Sequence, residues 1–203
     1  MACLSGDPDP NDPRGVRTNK WLMDFTEAPT RNATCCFPAC FLPCCAAFRM
    51  RQKVLNDDLS KNTCCMGYAP GADKFESCFS ACPNFVSLCC EAVCCTGPSL
   101  SSTRHFYQDI KDIQNSPCDN RIIALTNFCQ IFACVFSICA MATGMCEDGA
   151  QAISLIAECM FMCTAGCMAA QLEAEMTQAG GHGPLTAGEI DRMASPMGKT
   201  IDR

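Results

Sequence analysis

Residues 122–146 read IIALTNFCQIFACVFSICAMATGMC, 25 consecutive positions without a charged side chain. As an α-helix rising 1.5 Å per residue this stretch is roughly 37 Å long, more than the bilayer hydrocarbon core of about 30 Å. After Glu147-Asp148-Gly149 comes a second apolar stretch, AQAISLIAECMFMCTAGCMAAQL at 150–172, in which Glu158 is the single charge. Two such stretches with a three-residue break form a helical hairpin. Helices apolar all round suit either a protein core or lipid. Thr126, Asn127, Gln130, Ser137, Thr143 and Gly144 interrupt the first run, and a lipid-facing Glu158 would cost several kcal/mol. The turn carries two acids and no basic anchor. A hairpin buried in a soluble core is therefore the leading expectation, with a membrane hairpin through 121–172 as the alternative. Cys163, Gly166, Cys167 and Ala170 permit close helix approach in either solvent.

Upstream, the punctuation is helical as well. Pro43 precedes the run 44–60, in which Phe48, Val54, Leu55 and Leu59 recur among charges at helical spacing. Gly67, Pro70 and Gly71 mark a loop. The segment 77–95 is apolar with Glu91 its one charge, and Gly97-Pro98 is expected to end it. Ser99 is then a cap for a helix over 100–114, Ser116-Pro117-Cys118-Asp119 a turn, and Asp119 the cap of the hairpin's first helix. Strict apolar–polar alternation is absent, which argues against strands. The predicted fold is all-α, a compact Cys-rich helical bundle with a long apolar hairpin and extended N- and C-terminal arms.

The arms follow from composition. Residues 1–33 are charged and proline-rich with one cysteine, 34–176 hold the other 21 of the 22 cysteines, and 177–203 return to Gly, Pro and polar residues. The expected division is an extended arm at 1–33, a Cys-rich helical domain at 34–176 and a flexible arm at 177–203. Each arm is too poor in core formers to fold alone. Trp21 and Phe25 are the expected interface anchors, because aromatic side chains dominate interface energetics.

Charge narrows the function. With 15 basic against 21 acidic side chains the formal net charge is −6, which opposes nucleic-acid binding, where phosphates demand a basic stripe. No secretory signal is expected, since the chain opens on an acidic, proline-rich stretch rather than a basic and apolar one. Cytosolic thiols are mostly reduced, buried, metal-bound or acylated. The Cys-x2-Cys spacing of common zinc modules never occurs. Cys-x3-Cys and adjacent pairs recur instead, and four-residue spacing stacks thiols on one helix face. Packing as small hydrophobes is the plain explanation. The pairs Cys35-Cys36, Cys44-Cys45, Cys64-Cys65, Cys89-Cys90 and Cys94-Cys95 are candidates for zinc, the alternative to no cofactor at all. Cys3, Cys35, Cys36, Cys44 and Cys45 are candidates for acylation. His105 sits on a predicted helix without a nucleophile pattern around it, and no Gly-rich phosphate loop occurs. A non-enzymatic chain is expected.

Three motifs carry a resemblance: Cys65-Met66-Gly67-Tyr68, the Ser-x-x-Ser-Thr-Arg helix from Ser99 to Asp109, and Cys118-Asp119-Asn120 with its apolar sequel. In this order, over about 35–175, they resemble an uncharacterised cysteine-rich family of plants, algae and protists. That resemblance implies a shared fold unit without a known activity. A second likeness is to the placenta-specific/cornifelin cysteine-rich domain, although Leu42 stands where its Cys-Pro-Cys motif has the first cysteine. The expected role is a structural or adaptor protein, a Cys-rich plug whose arms dock on protein partners in a larger assembly such as a cytoskeletal or ciliary lattice. It would be cytoplasmic, cytoskeleton- or membrane-associated and not secreted. The alternatives are a membrane-embedded helical hairpin, acylated on cysteine, and a thiol-based zinc or redox protein.

Overall fold

A computed structural model describes residues 17–68, 82–144 and 147–194. The fold is all-α, with eight α-helices and one two-residue parallel strand pair among the described residues. In chain order these are β1 (Asn19–Lys20), α1 (Ala28–Arg31), α2 (Ala33–Phe41), α3 (Pro43–Val54), α4 (Asn84–Cys94), α5 (Thr96–Lys111), β2 (Ile113–Gln114), α6 (Pro117–Thr143), α7 (Glu147–Thr177) and α8 (Ala187–Ala194). Short 3-10 turns lie at Leu59–Lys61 and Cys64–Gly67.

Three helix starts differ from the sequence reading, two of them because of proline. Pro98 lies in the first turn of α5, where no N–H is needed for an intrahelical bond. Gly97-Pro98 therefore opens α5 rather than only closing α4. Pro117 likewise occupies the first turn of α6, and Ser116 is the cap, its hydroxyl accepting from the Asp119 N–H. Asp119 is thereby free for the interior, where it is fully buried. Helix α7 starts at Glu147 rather than at 150, with its two acids in the first turn, where the helix dipole favours negative charge.

The described parts of both expected arms fold into the domain. Met23, Phe25 and Ala28 are buried, and Trp21 packs with Phe25, Phe106 and Tyr107 in the main core. At the other end Leu185 and Ile190 join the same core, and α8 covers its edge. Trp21 and Phe25 are thus anchors within the chain rather than anchors offered to a partner. A few well-placed apolar residues suffice because the body already presents a groove for them.

Two buried carboxylates, Glu175 and Asp119, fasten these segments, and a third, Glu91, ties the body together. Glu175 of α7 accepts from the Leu22 N–H, the His182 N–H and His182 Nδ1, the last at 2.8 Å, so it holds both former arms at once. Arg104 of α5 lies 3.3 Å from Asp119 and donates to Gln171 Oε1 at 2.8 and 3.0 Å, while Gln171 donates to Asp119 and to the Met23 carbonyl. The Trp21 and Phe25 rings cover the guanidinium at 4.5 and 5.0 Å. Arg51 of α3 meets Glu91 at 2.8 Å and donates to Thr103, Ser102, Asn62 and the Ser99 carbonyl. Burial lowers the pKa of both arginines, to about 10 for Arg104, where Asp119 opposes the fall. Buried ions of this kind are tolerated only when paired and fully hydrogen-bonded.

Candidate functional site, an inside-out helical hairpin

The hairpin is rooted in the body and then leaves it. Its root is the Arg104–Asp119–Gln171 cluster, which joins α5, α6 and α7. Along α7 the residues from Thr164 onward are mostly buried, whereas the outer half, 151–163, is mostly exposed. Helices α6 and α7, with 27 and 31 residues, are both long and apolar enough to cross a membrane. Only 11% of the most apolar window of α6 is buried, and 33% of that of α7. Among the described residues the body therefore encloses only a small part of the hairpin, less than the expected burial in a soluble core.

The seam between the two helices is polar and small. Its buried positions on α6 are Thr126, Ala133 and Ala140, and on α7 Ala150, Ala157 and Thr164, a repeat of seven in each helix. Thr126 Oγ1 and Thr164 Oγ1 lie 2.8 Å apart, Gln130 Nε2 donates to the Ala157 carbonyl at 2.8 Å, and Ser137 and Ser154 meet at 3.2 Å. The outer surface carries Leu125, Phe128, Ile131, Phe132, Val135, Ile138 and Met141 on α6 and Leu155 and Ile156 on α7, each between 46% and 81% exposed. A hairpin in water is built the other way, with large apolar residues in the seam and charges outside.

Two corners of the body flank the hairpin where it emerges. Helix α2 runs antiparallel to α7, from Asn32 bonded to the Ala170 carbonyl to Cys40 against Gly166. A Cβ on Gly166 would lie 2.2 Å from Cys40 Sγ and 2.8 Å from the Cys36 carbonyl, so glycine is what permits this approach. Beyond it, Phe41 and Leu42 are exposed. On the opposite side Gly97, at the α4–α5 corner, sits against the Phe161 ring, with Val93, Cys94 and Cys95 exposed beside it.

The cysteines divide by place. The free thiols of Cys163, Cys40, Cys36 and Cys167 neighbour one another in that order through weak hydrogen bonds between α2 and α7. Burial pushes Cys35 and Cys36 up to about 11 and Cys40 to about 12. These three act as compact filler; of the acylation candidates among them, Cys36 is buried and Cys35 half-buried. Cys45 is exposed and Cys44 half-buried, and Cys3 lies outside the described residues.

The ten zinc candidates stay scattered. Among the described residues only Cys64 and Cys65 meet a third donor, Glu91, all within 4.8 Å of one another. That donor set does not fit a cation. One Glu91 oxygen is held by the Arg51 guanidinium and the other by the Cys65 N–H at 3.0 Å, so a divalent ion would share a buried cavity with a fixed positive charge. Burial, with Glu91 second, pushes Cys65 up to about 12.

Sequence reasoning missed the buried ionic residues. Glu91 was the one charge in an apolar run, and Arg104 and Asp119 stand inside the two most specific motifs; both were usable signals. Arg51, flanked by Arg49 and Lys53, gave none. The motif residues Ser99, Ser102, Thr103, Arg104 and Asp119 are thereby accounted for as a structural network. The chain matches no protein-family model, no curated protein and no solved structure.

Proposed function

We propose that this chain is an integral membrane protein, a non-enzymatic structural subunit whose α6–α7 hairpin crosses the bilayer and whose remaining helices form a body on the cytosolic face. The supporting observation is the inverted hairpin, polar in its seam and apolar on its outside. Burying one large apolar side chain is worth about 1.5–3 kcal/mol. Leaving nine of them half-exposed to water forgoes on the order of 10 kcal/mol, comparable to the whole stability of a domain. In lipid the same surface costs nothing, and the seam hydrogen bonds become the contacts that hold the pair.

Charge gives the orientation. All 15 Lys and Arg residues lie outside 122–172, while the tip carries only Glu147 and Asp148. Positive residues stay on the cytosolic side, which supports a cytosolic body with the tip across the membrane. Glu158 lies eleven residues beyond Glu147, roughly 16 Å along the helix, near mid-bilayer. Its cost of about 3 kcal/mol is small beside the apolar gain.

Alkaline carbonate extraction of membranes containing the full chain tests this. The protein is expected in the pellet, with a glycosylation acceptor inserted at the tip modified and one in the body unmodified. Release into the supernatant would overturn the proposal.

A further inference from the structure

The α4–α5 corner carries a feature that membrane anchoring alone does not use. Cys94 ends α4 and Cys95 precedes the first residue of α5; both are exposed. Serine, threonine or aspartate at the position of Cys95 would cap the helix, but the thiol makes no capping bond. The pair stands on the rim of a groove of about 700 Å³ between this corner and the hairpin, walled by Leu100, Ile123, Phe161 and Met168. Clefts of about 300–1,000 Å³ hold small-molecule ligands, and the lining here is predominantly apolar.

We propose that Cys94 and Cys95 are S-acylation sites and that the groove receives the acyl chain. The proposal rests on the hairpin reading for one thing, the level of the thiols. Gly97 contacts Phe161, and the groove reaches Thr126 and Gln130, so the pair lies where the hairpin leaves the body, towards the cytosolic side of Glu158. The acyl donor is a long-chain acyl-coenzyme A. A cysteine thiolate attacks its thioester carbonyl; the new carbon–sulfur bond forms as the bond to coenzyme A breaks, and coenzyme A departs as the thiol after taking up a proton. No electrons are exchanged. Cys134, Cys139 and Cys159 are also exposed, but they lie along the hairpin, away from an acyl-coenzyme A that approaches from water.

The test uses the full-length chain in eukaryotic membranes. Free thiols are blocked, thioesters are cleaved with hydroxylamine, and the peptide containing Cys94 and Cys95 is mapped by mass spectrometry. The expected result is hydroxylamine-dependent labelling of that peptide, lost in Cys94→Ser/Cys95→Ser and kept in Cys134→Ser/Cys139→Ser. Recovery of the wild-type peptide with both thiols free would overturn the proposal, whatever the variants do. Carbonate extraction of the same membranes separates the two readings: a pelleted protein with free thiols refutes acylation alone, and a labelled protein in the supernatant refutes the hairpin alone.

Discussion

Arg104 Nη2 and Asp119 Oδ2 lie 3.3 Å apart with both side chains fully buried, and this pair joins the helix before the hairpin to the hairpin's first turn. Removing one partner of a buried pair strands the other's charge, at about 3–5 kcal/mol. Asp119→Ala is expected to destabilise by that amount, whereas Arg104→Met with Asp119→Leu should recover part of it. Chemical unfolding in mild detergent measures both.

Gly166→Ala sets a Cβ against Cys40 Sγ and the Cys36 carbonyl. The thiol can swing aside, but the carbonyl moves only with α2. A loss of about 1–3 kcal/mol is expected, the usual cost of overpacking. Cys40→Ala should relieve only part of it, which thermal unfolding of the single and double variants would reveal.

The seam tolerates loss of polarity better than gain of bulk. Thr126→Val removes the bond to Thr164, but Thr164 also bonds to the Met160 carbonyl at 2.8 Å. The expected cost is about 0.6 kcal/mol, the average for such bonds in membranes. Ala133→Leu would wedge the helices apart and cost several times more, while Phe128→Leu on the outer face should be nearly silent. Equilibrium unfolding in mixed micelles ranks the three.

Glu158 is the one charge on the exposed face between the tip and Glu173. Replacing it by leucine is expected to favour insertion of α7 by about 3 kcal/mol, the penalty for a central charge. A glycosylation reporter of segment insertion reads this as a rise in the inserted fraction. No change would place Glu158 in water rather than at mid-bilayer.

Helix α8 should detach in acid. Glu189 closes a capping box, accepting from the Thr186 N–H at 2.7 Å while its own N–H donates to Thr186 Oγ1. The Thr186 N–H and Lys111 lower its pKa from 4.5 to about 2. A folded-state pKa below the unfolded one stabilises above about pH 4.5 and is lost as pH falls toward 2. Amide exchange in α8 is expected to accelerate over that window, and Glu189→Gln should make it fast at all pH values.

Helix existence was legible in the sequence. The runs 122–146 and 150–172, the capping signals and the absence of alternation required only local periodicity and the lack of charge. Helix starts were misplaced where proline was read as a stop, because Pro98 and Pro117 are acceptable in a first turn. The arms were misjudged because Trp21, Phe25, Leu185 and Ile190 are too sparse to fold alone and too few to flag themselves. Their burial depends on a groove formed by helices distant in sequence.

By itself the sequence determined that this protein is helical, that its charges avoid 122–172 except at Glu147, Asp148 and Glu158, and that its thiols recur with helical spacing. Those properties belong to neighbouring residues and survive without knowledge of the fold. Only the tertiary structure decided which side of each helix faces which neighbour. It turned Thr126, Gln130 and Ser137 from interruptions into the hairpin's seam, and set Arg104 at the hairpin's root and Arg51 in the core of the body. Hydrophobicity is fixed along a chain, but inside and outside are defined only once the helices have chosen their partners.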